Sequence, residues 1–152
     1  MMRTLPLLFL LFTACQQNAD YAPAGAQVEH LNTPEYREMG VPFSEAVRVD
    51  NMLYLSGQVG NTPGAFVLVE GGIEGETRQT MDNIVAALGR YGSSMDEVVK
   101  CTVFLADMAE WGAMNEVYRT YFPENPPARS AVGATGLALD ARVEIECFAA
   151  LR

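Results

Sequence analysis

The stretch VEIECFA, residues 143–149, constrains the fold more than any other part of the chain. Val143, Ile145 and Cys147 alternate with Glu144 and Glu146, a period of two, so the run is a strand with unlike faces. One face is apolar and needs cover. The other carries carboxylates, which are either solvated or held in a pocket with a partner. A second run, VVKCTVFLA, is apolar enough to be a buried strand. A sheet with a face to bury calls for amphipathic helices, and the chain supplies two. In the first, from Glu76 to Tyr91, Met81, Ile84, Val85 and Leu88 fall at i, i+3, i+4 and i+7. The second starts at Asp107 and Glu110, which have capping-box spacing, and runs through Phe122. Its inner face carries Trp111, Met114, Tyr118 and Tyr121, and PENPP stops it.

SEAVRVD and MLYLSGQV read as two short strands joined at Asp50–Asn51, a good tight-turn pair. FVLVE follows the turn GNTPGA as another, Ser94 and Glu97 cap a brief helical turn, and Arg129–Gly133 and Val143–Leu151 are the last two strands. The order is strands, helix, strand, helix, strand, strand. It predicts an α+β domain with two helices packed on one face of a mixed sheet. The apolar strands favour another subunit over solvent on the opposite face.

A chain of 152 residues, 49% hydrophobic, suits one domain with a real core. Ten Lys and Arg against 19 Asp and Glu give a formal charge of -9 with no basic cluster, which argues against nucleic acid as a partner. The N-terminus reads as an export signal: Arg3, then the apolar run Leu5–Phe12, far short of the ~20 residues that span a bilayer. FTAC, ending in Cys15, resembles a lipoprotein lipobox with Phe12 where leucine is usual. An ordinary signal peptide with a chance cysteine is the alternative. The expected organisation is a signal over 1–14, a lipidated Cys15 and flexible tether over 15–38, and a folded domain over 39–152. The only membrane contact is then the N-terminal lipid. Gln16 after the cysteine favours the outer membrane, facing the periplasm, where the source is Gram-negative. Cys101 and Cys147 are expected to be unpaired buried residues, although export would permit a disulfide.

The only histidine, His30, falls in the expected tether, so no Ser–His or Cys–His couple is expected in the domain. CxxC, HExxH, EF-hand spacing, GxGxxG and GxxxxGK are all missing, and neither a metal nor a cofactor is expected. Arginine, carboxylates, hydroxyls and backbone amides remain. Arg129 follows Pro126 and Pro127, a stiff mount that suits either a surface charge or a bidentate fork for a carboxylate.

SGQV (56–59), TRQTMDNI (77–84), EVVKCTVFLADM (97–108), MNEVYRTYF (114–122), PPARSAVG (126–133) and VEIECFA (143–149) stand in this order. Over residues 40–152 the chain thereby resembles the RidA (YjgF) family. The resemblance implies a chorismate-mutase-like fold and a homotrimer with ligand clefts between subunits. It also implies cofactor-free hydrolysis of 2-imino and enamine acids, such as 2-iminopropanoate and 2-iminobutanoate, to 2-oxo acids and ammonia. By the same resemblance Arg129 binds the substrate carboxylate and Glu144 handles the attacking water. Ser56, Gly57, Asn115 and the backbone at Ala131 line the cleft. Phe43, in VPFSEA, stands where the family often has a tyrosine; one hydroxyl is lost and a more apolar ligand is favoured. Ala131 stands where cysteine is frequent. The competing reading is a trimeric module in the cell envelope that binds small carboxylates without turnover. RNA cleavage, associated with some relatives, fits poorly with the acidic charge and the missing histidine. No feature bears on a chaperone-like holding role.

Overall fold

The computed structural model describes residues 25–152. Its strands are β1 (Val28–Leu31), β2 (Ala46–Val49), β3 (Met52–Leu55), β4 (Gln58–Val59), β5 (Val98–Leu105), β6 (Ala128–Gly133) and β7 (Val143–Ala150). Its helices are α1 (Pro34–Glu38), α2 (Gly72–Arg90) and α3 (Trp111–Tyr118), with short 3-10 turns between elements. β7 is the hub. It pairs antiparallel with β3 and β4 along one edge and with β5 along the other. The sheet order is β1-β2-β3-β7-β5-β6, and only the β5–β6 pair is parallel. That pair needs a crossover, which α3 supplies.

The alternation along β7 is realised: Val143, Ile145, Cys147 and Ala149 are fully buried, while Glu144, Glu146 and Phe148 are only partly so. Met81, Ile84 and Leu88 of α2 and Met114 of α3 cover the apolar face, with Leu53, Val103 and Leu105 completing the core. The α+β fold with two helices on one face of a mixed sheet is as the sequence predicts. Among the described residues no helix covers the other face. Tyr54 and Phe148 stack there at 4.9 Å, and Tyr54 and Val132 are exposed.

α2 begins four residues before the expected Glu76 because Gly71 and Gly72 take positive φ of 109° and 62°, a turn closed to most side chains. It ends in a Schellman arrangement at Gly92, whose φ is 84°, with the Ser93 amide donating to the Leu88 carbonyl. Val85 leaves the predicted stripe and is exposed. FVLVE is not a strand. Residues 60–69 close a loop through the Val69 amide on the Gly60 carbonyl, and only Leu68 makes a bridge, to Asn61. No neighbouring strand stands there to pair with it. α3 is shorter than expected, and Trp111 does not join Met114 in the core but is exposed, whereas Tyr121 packs against the core from its margin and donates its hydroxyl to Asp82 Oδ1 at 2.7 Å.

The signal over 1–14, Cys15 and the first part of the tether lie outside the described residues. The later part of that segment is structured: β1 pairs with β2, and α1 is capped by Thr33, whose Oγ1 accepts from the Tyr36 amide at 3.1 Å. His30 is therefore in a strand, its Nδ1 3.4 Å from Ser44 Oγ in an exposed contact. Cys101 and Cys147 are disulfide-bonded, contrary to the unpaired expectation. They sit directly opposite on β5 and β7 with Cα atoms 4.2 Å apart. The pairing is a consequence of register, which the sequence does not display.

Candidate active site in two halves

Between Leu55 and Gln58 the β3–β4 segment makes a one-residue shift against β7: Tyr54 pairs Phe148, but Gln58 pairs Ile145. The extra residue is a bulge at Ser56–Gly57. Ser56 anchors it, donating its hydroxyl to the Ser44 carbonyl at 2.7 Å and its amide to the Glu45 carbonyl. Gly57 fits because it has no side chain; a Cβ there would fall onto the Glu144 carboxyl. Beyond the bulge β4 has no strand on its outer side. The Asn83 amide of α2 holds its exit, donating to the Val59 and Asn61 carbonyls at 3.1 and 3.0 Å.

A pocket of about 640 Å³ opens at this edge and includes Gly57, Gln58, Phe43 and Glu144. Glu144 has no cationic partner among the described residues. Burial, and secondly the like charge of Glu146, raise its carboxyl above the ordinary value. The pocket contains its own cation, Arg90, but this is committed to the buried Glu45. Tyr91 also donates to Glu45, at 2.6 Å, and its hydroxyl is pushed well up by burial and then by that bond. The Glu45 amide donates to Asn32 Oδ1 at 2.8 Å, which ties the α1 segment to the sheet. That segment presents Phe43, half-exposed, with Tyr36 edge-on at 6.1 Å.

The second half lies across the sheet. Arg129 is on the edge strand β6, level with Cys101 of β5, so it faces the helix side. Its guanidinium rests over the Tyr118 ring at 4.6 Å and 6.0 Å from the Trp111 ring. No carboxylate is within ion-pair distance of it among the described residues. Trp111, Asn115 and Tyr118 share one face of α3 by their i, i+4, i+7 spacing. Burial pushes the Tyr118 hydroxyl up to about 12 against the pull of Arg129, and that hydroxyl has no hydrogen-bond partner among the described residues. Ala131 is half-buried, level with Val103.

The two halves do not meet within one chain. β6 and β7 are two strand spacings apart, about 10 Å, and Arg129 lies level with Cys147, about 10 Å along the strand from Glu144. Glu144 instead pairs with Phe104 and points to the opposite face of the sheet. Gly57, Phe43 and Glu144 are thus brought together, Arg129, Asn115 and Ala131 form a second group, and Ser56 supports the first from behind. Sequence reasoning missed the Glu45–Arg90–Tyr91 cluster and the Trp111–Tyr118 platform. The i, i+7 spacing of the two aromatics signals a shared face, but not that Arg129 lies on it. Among the described residues, no group of three or more His, Cys, Asp or Glu could hold a metal.

Fold and site together place the chain in a class: α+β proteins with one mixed sheet and two helices on one face, here with a carboxylate on the central strand β7 and an arginine on the edge strand β6. The chain belongs to the family described as endoribonuclease L-PSP, which matches residues 36–151. It is 45% identical over 108 residues to a mouse 2-iminobutanoate/2-iminopropanoate deaminase, covering 71% of this chain and 80% of that one. The crystal structure of yeast Mmf1 aligns at a TM-score of 0.71 and 37% identity over 74% of this chain and 89% of that one. That of RidA from an Antarctic Psychrobacter aligns at 0.70 and 36%, over 73% and 89%. The RidA resemblance carried by PPARSAVG and VEIECFA is confirmed by these relatives.

Proposed function

We propose that the chain hydrolyses 2-imino and enamine acids to 2-oxo acids and ammonia, in a site completed by a second copy within a homotrimer. The observation that carries this reading is the division of charge. Among the described residues, Glu144 lines a pocket whose one cation is engaged elsewhere, while Arg129, with no ion-pair partner, stands on an edge strand. A substrate bearing a carboxylate needs both. The uncovered sheet face with Tyr54, Val132 and Phe148 supports burial against another copy. Relatives named 2-iminobutanoate/2-iminopropanoate deaminase support the chemistry.

In this scheme Arg129 of one copy grips the substrate carboxylate as a planar fork. Glu144 of the next accepts a proton from water as the oxygen bonds to the imine carbon, whose C=N electrons pass to nitrogen. Glu144 then returns that proton to the nitrogen of the tetrahedral adduct, takes the adduct's hydroxyl proton and passes it to the same nitrogen. The C–N bond breaks, ammonia departs, and the hydroxyl oxygen's electrons form the carbonyl of the 2-oxo acid. Asn115 and the Ala131 backbone border the carboxylate, and Gly57 and Phe43 border the reacting carbon. A raised carboxyl suits a base that works near neutrality.

The test is the loss of freshly generated 2-iminopropanoate and 2-iminobutanoate. The wild type accelerates it. Glu144→Gln lowers kcat by about 10²–10⁴-fold, with pyruvate binding retained, and Arg129→Ala abolishes binding and turnover together. Full activity in Glu144→Gln removes the proposed base. No acceleration by a folded wild type, with pyruvate still bound, selects the non-catalytic binding module. The charge of -9 and the exposed, isolated position of His30 favour a small acid over RNA as substrate.

We also propose export, with a lipid on Cys15. The Leu5–Phe12 run supports it, as does the Cys101–Cys147 disulfide, a bond that persists mainly outside the reducing cytosol. Incorporation of labelled fatty acid that disappears in Cys15→Ala is the expected result; equal labelling, or none, rejects the anchor.

A further inference from the structure

The disulfide and the carboxylate clamp lie in one row of the sheet. Arg129 on β6, Cys101 on β5 and Cys147 on β7 stand level, and all three face the helix side. Cys101 and Cys147 are fully buried, in the same apolar cluster as Met114 and Tyr118 of α3. Tyr118 in turn carries the Arg129 guanidinium over its ring at 4.6 Å. The bond therefore ties β7 to the strand on which the clamp strand is laid.

The bond also closes a ring. It joins positions 46 apart in sequence, and the chain between them holds Trp111, Asn115, Tyr118, Arg129 and Ala131, the whole Arg129 half. Among the described residues β6 has one partner strand, β5, and α3 is only eight residues long. Short helices and edge strands are the parts of a fold that open first. Backbone pairing holds β5 on β7 in either redox state. What the bond adds is that the ends of the segment stay together whenever α3 and β6 lift, which removes much of the freedom the opened state would gain. Glu144, near the end of that ring, is held independently by its pairing with Val59 of β4.

We propose that Cys101 and Cys147 are positioning residues for Arg129, so that the chain binds its carboxylate ligand tightly only when folded with the disulfide formed. The proposal rests on Arg129 as the carboxylate clamp of the proposed function. Forming the bond takes two electrons and two protons from the two thiols, and a thiol–disulfide oxidant accepts them and becomes its dithiol. Both cysteines are fully buried, so their state is set as the chain folds and is not exchanged readily afterwards.

The experiment uses the full chain, refolded with a glutathione redox couple or with dithiothreitol, and free-thiol titration confirms each state. Pyruvate is the binding probe. The reduced chain should bind it about tenfold more weakly than the oxidised one, as expected for loss of one charge-assisted hydrogen bond. KM for 2-iminopropanoate should rise by a similar factor, with kcat kept within about threefold. Cys101→Val/Cys147→Ala retains apolar volume without the bond. It should match the reduced chain and ignore dithiothreitol, and it decides the matter where reduced wild type does not refold. Equal pyruvate affinity in the oxidised chain and in this folded variant overturns the proposal. A loss confined to kcat also overturns it, because the bond would then act on Glu144. Pyruvate binding by an oxidised chain that does not accelerate imine loss removes the deaminase reading alone. No pyruvate binding by the oxidised chain overturns both.

Discussion

The two halves of the site are built in opposite ways. The Glu144 half is enclosed: a bulge at Ser56–Gly57, the Asn83 clamp on β4 and the Glu45–Arg90 pair hold a pocket around one partly desolvated carboxyl. The Arg129 half is open: an edge strand, two aromatic rings and a guanidinium with no ion-pair partner among the described residues. The enclosed half tunes a proton acceptor, since burial raises its pKa. The open half keeps a planar guanidinium fork ready for an anion. What the contrast teaches is that one chain encloses Glu144 yet leaves Arg129 on an open edge strand, the arrangement that the proposed function completes with a second copy.

Beyond removal of Glu144 or Arg129 themselves, Gly57→Ala breaks the enclosed half most severely. The added methyl meets the end of the Glu144 side chain, so the fold survives but the carboxyl is displaced. Activity should fall by about 10²-fold with the melting temperature nearly unchanged; retained activity would mean that the placement of Glu144 is not critical. In the open half, Tyr118→Leu removes the ring beneath Arg129 and should raise KM by about two- to thirty-fold, with kcat largely kept. Tyr118→Phe is the control. Its lost hydroxyl is buried and unpartnered, so KM and stability should hold. If both substitutions raise KM equally, the hydroxyl rather than the ring supports Arg129.

The smallest effect sharpens the contrast through pH. Turnover needs ionised Glu144, so activity falls as pH drops through its raised pKa. Glu146→Gln removes the secondary cause of the rise, and the acid limb of kcat/KM should move to lower pH. Stability has the opposite sign. A carboxyl with a raised folded-state pKa contributes fully below its unfolded value, and that contribution is lost as pH rises through the folded pKa. Glu144→Gln should therefore be more stable than wild type at neutral pH and lose this advantage in acid. An acid limb that does not move in Glu146→Gln would remove Glu146 as a cause.

Much of this was legible in the sequence because it depends on local periodicity. The alternation of VEIECFA separates Val143 and Ile145 from Glu144, and the Met81–Ile84–Leu88 spacing marks the face of α2 that covers them. What was not legible depends on which elements become neighbours. FVLVE has strand composition but no strand to pair with, and β1 and α1 are short segments stabilised by β2 and Asn32 rather than by their own pattern. The Cys101–Cys147 bond follows from the β5–β7 register. Arg129 and Glu144 were both legible as chemistry. Their placement on opposite faces comes from the parallel register of β6 on β5, set by the α3 crossover.

The central claim, that the two halves come together only between copies, is tested most directly by complementation. Arg129→Ala and Glu144→Gln chains, each inactive alone, are co-expressed at equal levels with distinct tags, and mixed assemblies are verified. A site shared between neighbours in a ring predicts that roughly one interface in four receives both intact residues, restoring about a quarter of wild-type turnover. No recovery from verified mixed assemblies would place Arg129 and Glu144 in the same chain's site and contradict the account.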